Sequence, residues 1–153
     1  MTMMTYRSLQ FSPPLMTKAI FEMKMPKEKV DESVDLFFRR NVIKINGKNQ
    51  AIVELTAQLN KKGDIERENV RFIAEVAMQS TFTWAESVNE AQSDELLEKD
   101  ASELLLSYIR PVIAMLTNVA PIPTCHIPYV DMGAIGRDAL QKHDKTSSLV
   151  ISE

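Results

Sequence analysis

Residues 50–60, QAIVELTAQLN, alternate almost without exception. Ala51, Val53, Leu55, Ala57 and Leu59 fall on one side, and Gln50, Glu54, Thr56 and Gln58 fall on the other with Ile52. A period of two is the mark of a strand with one face on a core. VRFIAEVAMQSTFTW (70–84) repeats the pattern and puts Phe72, Ala74, Val76, Met78, Phe82 and Trp84 on one face. Upstream, VDLFFRRNVIKI (34–45) reads as a third strand, joined to the next by Asn46-Gly47, a pair that suits a type I′ hairpin because both residues tolerate positive φ. Lys61-Lys62-Gly63-Asp64 marks a second turn. MTYRSLQF and TKAIFEMKM are shorter extended candidates, broken by Pro13-Pro14, which cannot donate to a ladder. Three hairpin-connected strands and an N-terminal one predict an antiparallel sheet with one face on a core.

The period changes after residue 86. Ser93, with Asp94 and Glu95 behind it, is a reasonable helix start, because carboxylates favour the positive end of the macrodipole. Leu97, Ala101, Leu104, Leu105, Tyr108, Ile109, Val112, Ile113 and Leu116 then recur at helical spacing. That stripe is wide enough to cover the sheet with area left over. Pro111 should kink the helix or start a new one, since a proline in a regular interior costs about 3 kcal/mol. Asn118 to Pro123 ends the helix. PTCHIPYVDMGAIGRDAL is then an extended strap leading into a short helix, capped by Asp131 ahead of Met132, Ala134, Ile135 and Leu140. The pattern predicts an α+β chain with one domain over residues 1–145 and a frayed tail over 146–153.

Composition and charge mainly remove options. A chain of 153 residues with 44% hydrophobic and 25% charged residues has the make-up of one globular domain. A net charge of −3 and the lack of a basic, aromatic-studded patch argue against nucleic acid. The start of the sequence has no positive region followed by an apolar one, and no apolar run approaches the roughly 20 residues of a membrane span. A cytoplasmic location without membrane insertion is the expectation, and the single Cys fits a reducing compartment.

Catalytic and metal chemistry finds little to use. One Cys and two His cannot complete a four-ligand zinc site. Cys125 and His126 are neighbours on an extended strap and point to opposite faces, so Cys125 reads as a small buried hydrophobe. MGAIGRD has neither the preceding strand nor the Lys-Ser/Thr of a phosphate loop, and acidic pairs such as Glu86 and Glu90 read as a solvated helix face. No enzyme, metal or cofactor is expected.

Several short motifs, in order, resemble the SecB-like chaperones. Tyr108 and Arg110 match a Tyr-x-Arg inside that family's long helix. Pro123, Cys125 and Ile127 match its Pro-x-apolar-x-apolar strap, and Val130-Asp131-Met132 matches the start of its short helix. RFIAEV (71–76) with Phe82 is similar to its last strand, and TKAIFE (17–22) to its first with a one-residue slip. The resemblance implies a SecB-like four-stranded antiparallel sheet with a long helix, a proline-rich strap and a short C-terminal helix, assembled as a dimer of dimers. It implies an ATP-independent holdase that binds unfolded polypeptides in an apolar groove, with Phe37, Phe38, Tyr129, Met132 and Ile135 as candidate lining. Such binding needs no cofactor. It also implies hand-over to the SecA motor through an outer sheet face carrying Glu22, Ile73 and Glu75, with Ile73 exposed beside a carboxylate. The family's further first-strand acid, however, falls at Lys18 or Ala19 here. A chaperone dedicated to an antitoxin, and an adaptor for one folded partner, remain alternatives.

Overall fold

The computed structural model describes residues 3–23, 33–61, 72–118, 125–132 and 147–152. At its centre is the expected meander of β4 (Ser33–Lys44), β5 (Gln50–Leu59) and β6 (Phe72–Thr83), all antiparallel. Strand β3 (Leu15–Met23) lies on the far edge of β6, from Leu15↔Gln79 to Met23↔Phe72.

Two elements go beyond the expected four strands. MTYRSLQF is a hairpin of β1 (Met4–Tyr6) and β2 (Leu9–Phe11), which turns at Arg7 with φ 54°. Strand β2 then pairs with β6 at Phe11↔Phe82, so β2 and β3 share one edge of β6 in succession. The break between them falls at Pro13-Pro14, which lack the donors to keep the ladder going. At the opposite edge, residues expected to fray form β7 (Ser147–Ser152), antiparallel to β4 from Ser33↔Ser152 to Phe38↔Ser147. Six uncharged residues have no order of their own, but an open sheet edge supplies the partner groups they lack. The sheet order is thus β1-β2-β6-β5-β4-β7, with β3 also on β6.

The Asn46-Gly47 turn differs from a type I′ hairpin. Ile45 N–H donates to Gln50 O (2.9 Å), so four residues form the loop, and of the pair only Gly47 has positive φ, at 73°. Lys48 N–H donates to Ile45 O (3.2 Å), which puts Gly47 third in a four-residue turn. That is where a type II turn demands glycine. Beyond Lys61, the rest of the turn expected over 61–64 and the short helix expected after Met132 lie outside the described residues.

Alternation sorts the faces as expected. Ala51, Val53, Leu55, Ala57, Leu59, Val76 and Phe82 are fully buried, and Phe11 packs on Phe82 at 6.2 Å. Helical residues cover this face: α1 (Glu90–Glu95), a π-helical segment (Leu96–Ala101) and α2 (Ser102–Asn118). The start lies at Asn89 rather than Ser93. Asn89 and Gln92 form a reciprocal capping box, Gln92 N–H donating to Asn89 Oδ1 (2.8 Å) and Asn89 N–H to Gln92 Oε1 (3.0 Å). Two orphan N–H groups are satisfied at once, which outcompetes a start four residues on. Pro111 sits inside α2 without ending it. It is exposed, so water can serve the carbonyl that its missing N–H leaves free.

Candidate functional site

The apolar surface of α2 runs well beyond its buried side. Leu105, Ile109 and Ile113 are fully buried against the sheet, while Tyr108, Pro111 and Met115 are exposed and Val112 is half-buried. At 100° per residue these last four share one arc that adjoins the core side. Met115 is 60% exposed. Apolar area is left over, as the width of the stripe suggested.

Residues 125–131 have no regular secondary structure and lie beside this helix. Cys125, Ile127, Val130 and Met132 are buried in the main core, while His126, Pro128, Tyr129 and Asp131 are exposed. Two bonds tie the segment to α2. Cys125 N–H donates to Thr117 Oγ1 (2.8 Å), and Arg110 Nη2 donates to Pro128 O (3.0 Å). Thr117 is fully buried and itself donates to Ile113 O (2.9 Å). A Thr117→Val variant keeps the shape but leaves the Cys125 N–H without its partner, at a cost of about 2 kcal/mol. Hydrogen exchange should show the loss concentrated at 125–130, with strands β5 and β6 slowed as before.

Of the five residues expected to line one groove, the four that are described do not share one exposed surface. Phe38 (2% exposed) and Met132 (1% exposed) are core. Phe37 lies half-buried on the opposite face of the sheet, with Lys61 Nζ 5.0 Å from its ring centroid. Successive residues of a strand point opposite ways, so Phe37 and Phe38 cannot both face a groove; the run Val34-Leu36-Phe38-Arg40-Val42 already carried that signal. Tyr129 is 81% exposed on the strap, and Ile135 is outside the described residues.

Glu22, Ile73 and Glu75 do share the outer sheet face, with Glu22 directly opposite Ile73. Their environment is not the expected one. Ile73 is buried, and Glu75 is clasped by Lys18 Nζ (3.0 Å) and Arg39 Nη2 (3.7 Å). An isoleucine on an interior strand is covered by neighbours on both sides, which alternation alone does not reveal. Lys18, one of the two positions considered for a further first-strand acid alongside Ala19, instead neutralises the neighbouring carboxylate.

Two further charged groups were not singled out by sequence. Arg40 is buried on the core face, its Nη1 donating to Glu98 O and to Ser102 Oγ (2.6 Å) in and beside the π-helical segment. Burial pushes the guanidinium pKa down, and Glu98 pulls it partly back. Arg7 bridges Asp100 (2.7 Å) and Glu103 (3.2 Å), pinning the β1–β2 turn to the helical layer; its hydrogen bond to Asp100 raises its pKa. Among the described residues no cluster of three or more His, Cys, Asp or Glu could hold a metal ion, and no described helix is long and apolar enough to cross a membrane.

No family model matches the sequence, and no curated protein matches it. A solved structure does share its fold. The SecB-like chaperone Rv1957 of Mycobacterium tuberculosis, solved in complex with a ChAD peptide from the Rv1956 HigA1 antitoxin, superposes with a TM-score of 0.64 at 12% identity. That match covers 81% of this chain and 91% of that one. A Streptococcus agalactiae protein of unknown function covers 84% of this chain at 8% identity and a TM-score of 0.45. The likeness to Rv1957 is one of fold: an antiparallel sheet with a long helix packed across it.

Proposed function

We propose that this protein is a SecB-like chaperone that binds extended polypeptide segments without ATP. The observation that carries this reading is the fold shared with a SecB-like chaperone solved with a bound peptide. The surplus apolar surface supports it. Tyr108, Val112 and Met115 on α2 suit helix-to-helix contact in a dimer of dimers, and Phe37 and Tyr129 remain the groove candidates with exposed area. Binding by burial of apolar side chains and pairing of free backbone groups needs no cofactor.

The test is light scattering of a chemically unfolded protein diluted into buffer, with and without this protein and without nucleotide. Suppression near one tetramer per client is expected, for several unrelated clients. A second reading, service to one antitoxin, draws on the peptide partner of Rv1957. It predicts suppression for an aggregation-prone antitoxin and none for general clients. No suppression for either would leave the adaptor for one folded partner. Delivery to SecA draws little support, because Ile73 is buried, Glu75 is already paired and only Glu22 stands exposed.

A further inference from the structure

We infer that the outer edge of β4 over Ser33–Phe38 is where an extended, uncharged apolar polypeptide segment pairs as an added strand, and that residues 147–152 of the chain itself occupy this edge until such a segment displaces them. The inference rests on the polypeptide-binding reading above and gives it a location and a competitor.

The direction of the backbone groups defines the edge. Asp35 exchanges its N–H and C=O with Asn60, donating to Asn60 Oδ1 (3.1 Å) and accepting from Asn60 N–H (2.8 Å). In an antiparallel ladder both backbone groups of one residue point to the same neighbour, and successive residues alternate. Asp35 therefore faces the β5 side, while Val34, Leu36 and Phe38 direct theirs at β7. Their partners are Ile151, Leu149 and Ser147. The pairs Ser33↔Ser152, Asp35↔Val150 and Phe37↔Ser148 are the non-hydrogen-bonded ones.

The occupant indicates what the edge accepts. Ser147-Ser148-Leu149-Val150-Ile151-Ser152 has no charge, and its centre is three successive apolar residues, two of them β-branched. This is the chemistry of a segment that an unfolded protein exposes and a folded one buries. The other half of the edge differs. From Arg39 to Lys44 the strand carries Arg39, Arg40 and Lys44, with Lys44 paired to Asp94, and among the described residues no strand adds there. Charge on an edge discourages pairing, so the accepting stretch ends where β7 ends. An occupant on the same chain has an effective concentration of about millimolar. A free segment must outcompete it, and its apparent affinity falls by the fraction of open edge.

The test compares three full-length proteins. Leu149→Pro/Ile151→Pro removes two ladder donors from β7 and should open the edge. Asp35→Cys/Val150→Cys joins a non-hydrogen-bonded pair, whose Cα atoms approach to about 4.5 Å, and should lock β7 when oxidised. Wild type is the third. Two probes are used, a synthetic peptide KTSSLVISE and a reduced, carboxymethylated protein that cannot refold, with Kd read by fluorescence anisotropy. Both probes should bind the proline variant about tenfold more tightly than wild type. They should bind the oxidised cysteine variant at least tenfold more weakly, with affinity returning on reduction. Equal affinities across all forms overturn the inference, as does weaker binding to the proline variant, which would make β7 part of the client surface. If the proline variant does not fold, the oxidised and reduced forms of the cysteine variant decide alone. Peptide binding in the expected order with no binding of the unfolded protein keeps the edge and rejects the chaperone. The unfolded protein binding all forms alike does the reverse. Binding of neither probe to any form rejects both.

Discussion

Asn60→Ala should destabilise the protein by about 4 kcal/mol, with an unchanged urea m-value. The estimate adds one buried and one part-buried unsatisfied backbone group, at about 1–3 kcal/mol for the first and the low end of that range for the second, to an αL penalty of about 1–2 kcal/mol. Asn60 is buried at the end of β5 with φ 60°. Its Nδ2 donates to Phe72 O (2.8 Å) and its Oδ1 accepts from Asp35 N–H (3.1 Å), so one side chain joins the ends of β4, β5 and β6. Asn60→Gly should recover about 1 kcal/mol, because glycine adopts positive φ freely while the two bonds stay lost. Asn60→Asp separates the bonds. It keeps the acceptor for Asp35 and sets a carboxylate against the Phe72 carbonyl, so it should be no better than Ala. A loss under about 1 kcal/mol for Asn60→Ala would mean that water reaches the vacated groups and that the strand ends hold without this link.

Arg40→Ala should cost about 3 kcal/mol, and Arg40→Met much less. The Ala change removes a packed aliphatic stem and leaves the Glu98 carbonyl and Ser102 hydroxyl with a partner fewer. Methionine refills the volume without a buried charge. Replacing a buried ion by an apolar residue of similar size is often neutral or better. That comparison applies here because Arg40 Nε has no hydrogen-bond partner, and no salt bridge within 4 Å joins Arg40 among the described residues. The folded-state pKa is lowered, so the folded protein holds this proton less tightly than the unfolded chain does. The burden on stability is therefore present throughout the pH range below the folded pKa and is relieved only as pH rises through it. A guanidinium stays charged at all ordinary pH values, so the advantage of Arg40→Met over Arg40→Ala should be the same from pH 6 to pH 9. An advantage that changed across that range would point to a titrating neighbour. If Met proved as damaging as Ala, the Glu98 carbonyl would be the critical group, and the guanidinium would be what permits the π-helical turn above it.

The resemblance drawn from Tyr108, Arg110, the Pro-rich strap and the 71–76 strand led to the right outline, an antiparallel sheet with one long helix, because element order and alternation are local and additive along the chain. Its residue-level transfers fared differently. Phe38 and Met132 were offered to a groove and are core, and Ile73 was offered as exposed and is buried. Each depends on what lies beside the residue in three dimensions, which a period of two cannot express. Lys18 was noted only as a departure from a pattern; against β6 it becomes the partner of Glu75.

The sequence by itself determined which faces of β5 and β6 carry the core, where the strand region yields to helix, and that α2 has apolar area to spare. These follow from side-chain periodicity and the solvation of apolar surface, and both act residue by residue. Tertiary structure decided what happens at the edges and ends. It turned MTYRSLQF into a hairpin beside β6, let α2 run through an exposed Pro111, buried Arg40 beneath a π-helical turn, and gave residues 147–152 a strand to pair with. For Pro111 the deciding partner is water; in the other cases it is a backbone group far away in sequence. Hydrogen bonding to such a group becomes worth its entropy only after the rest of the fold has brought it within reach.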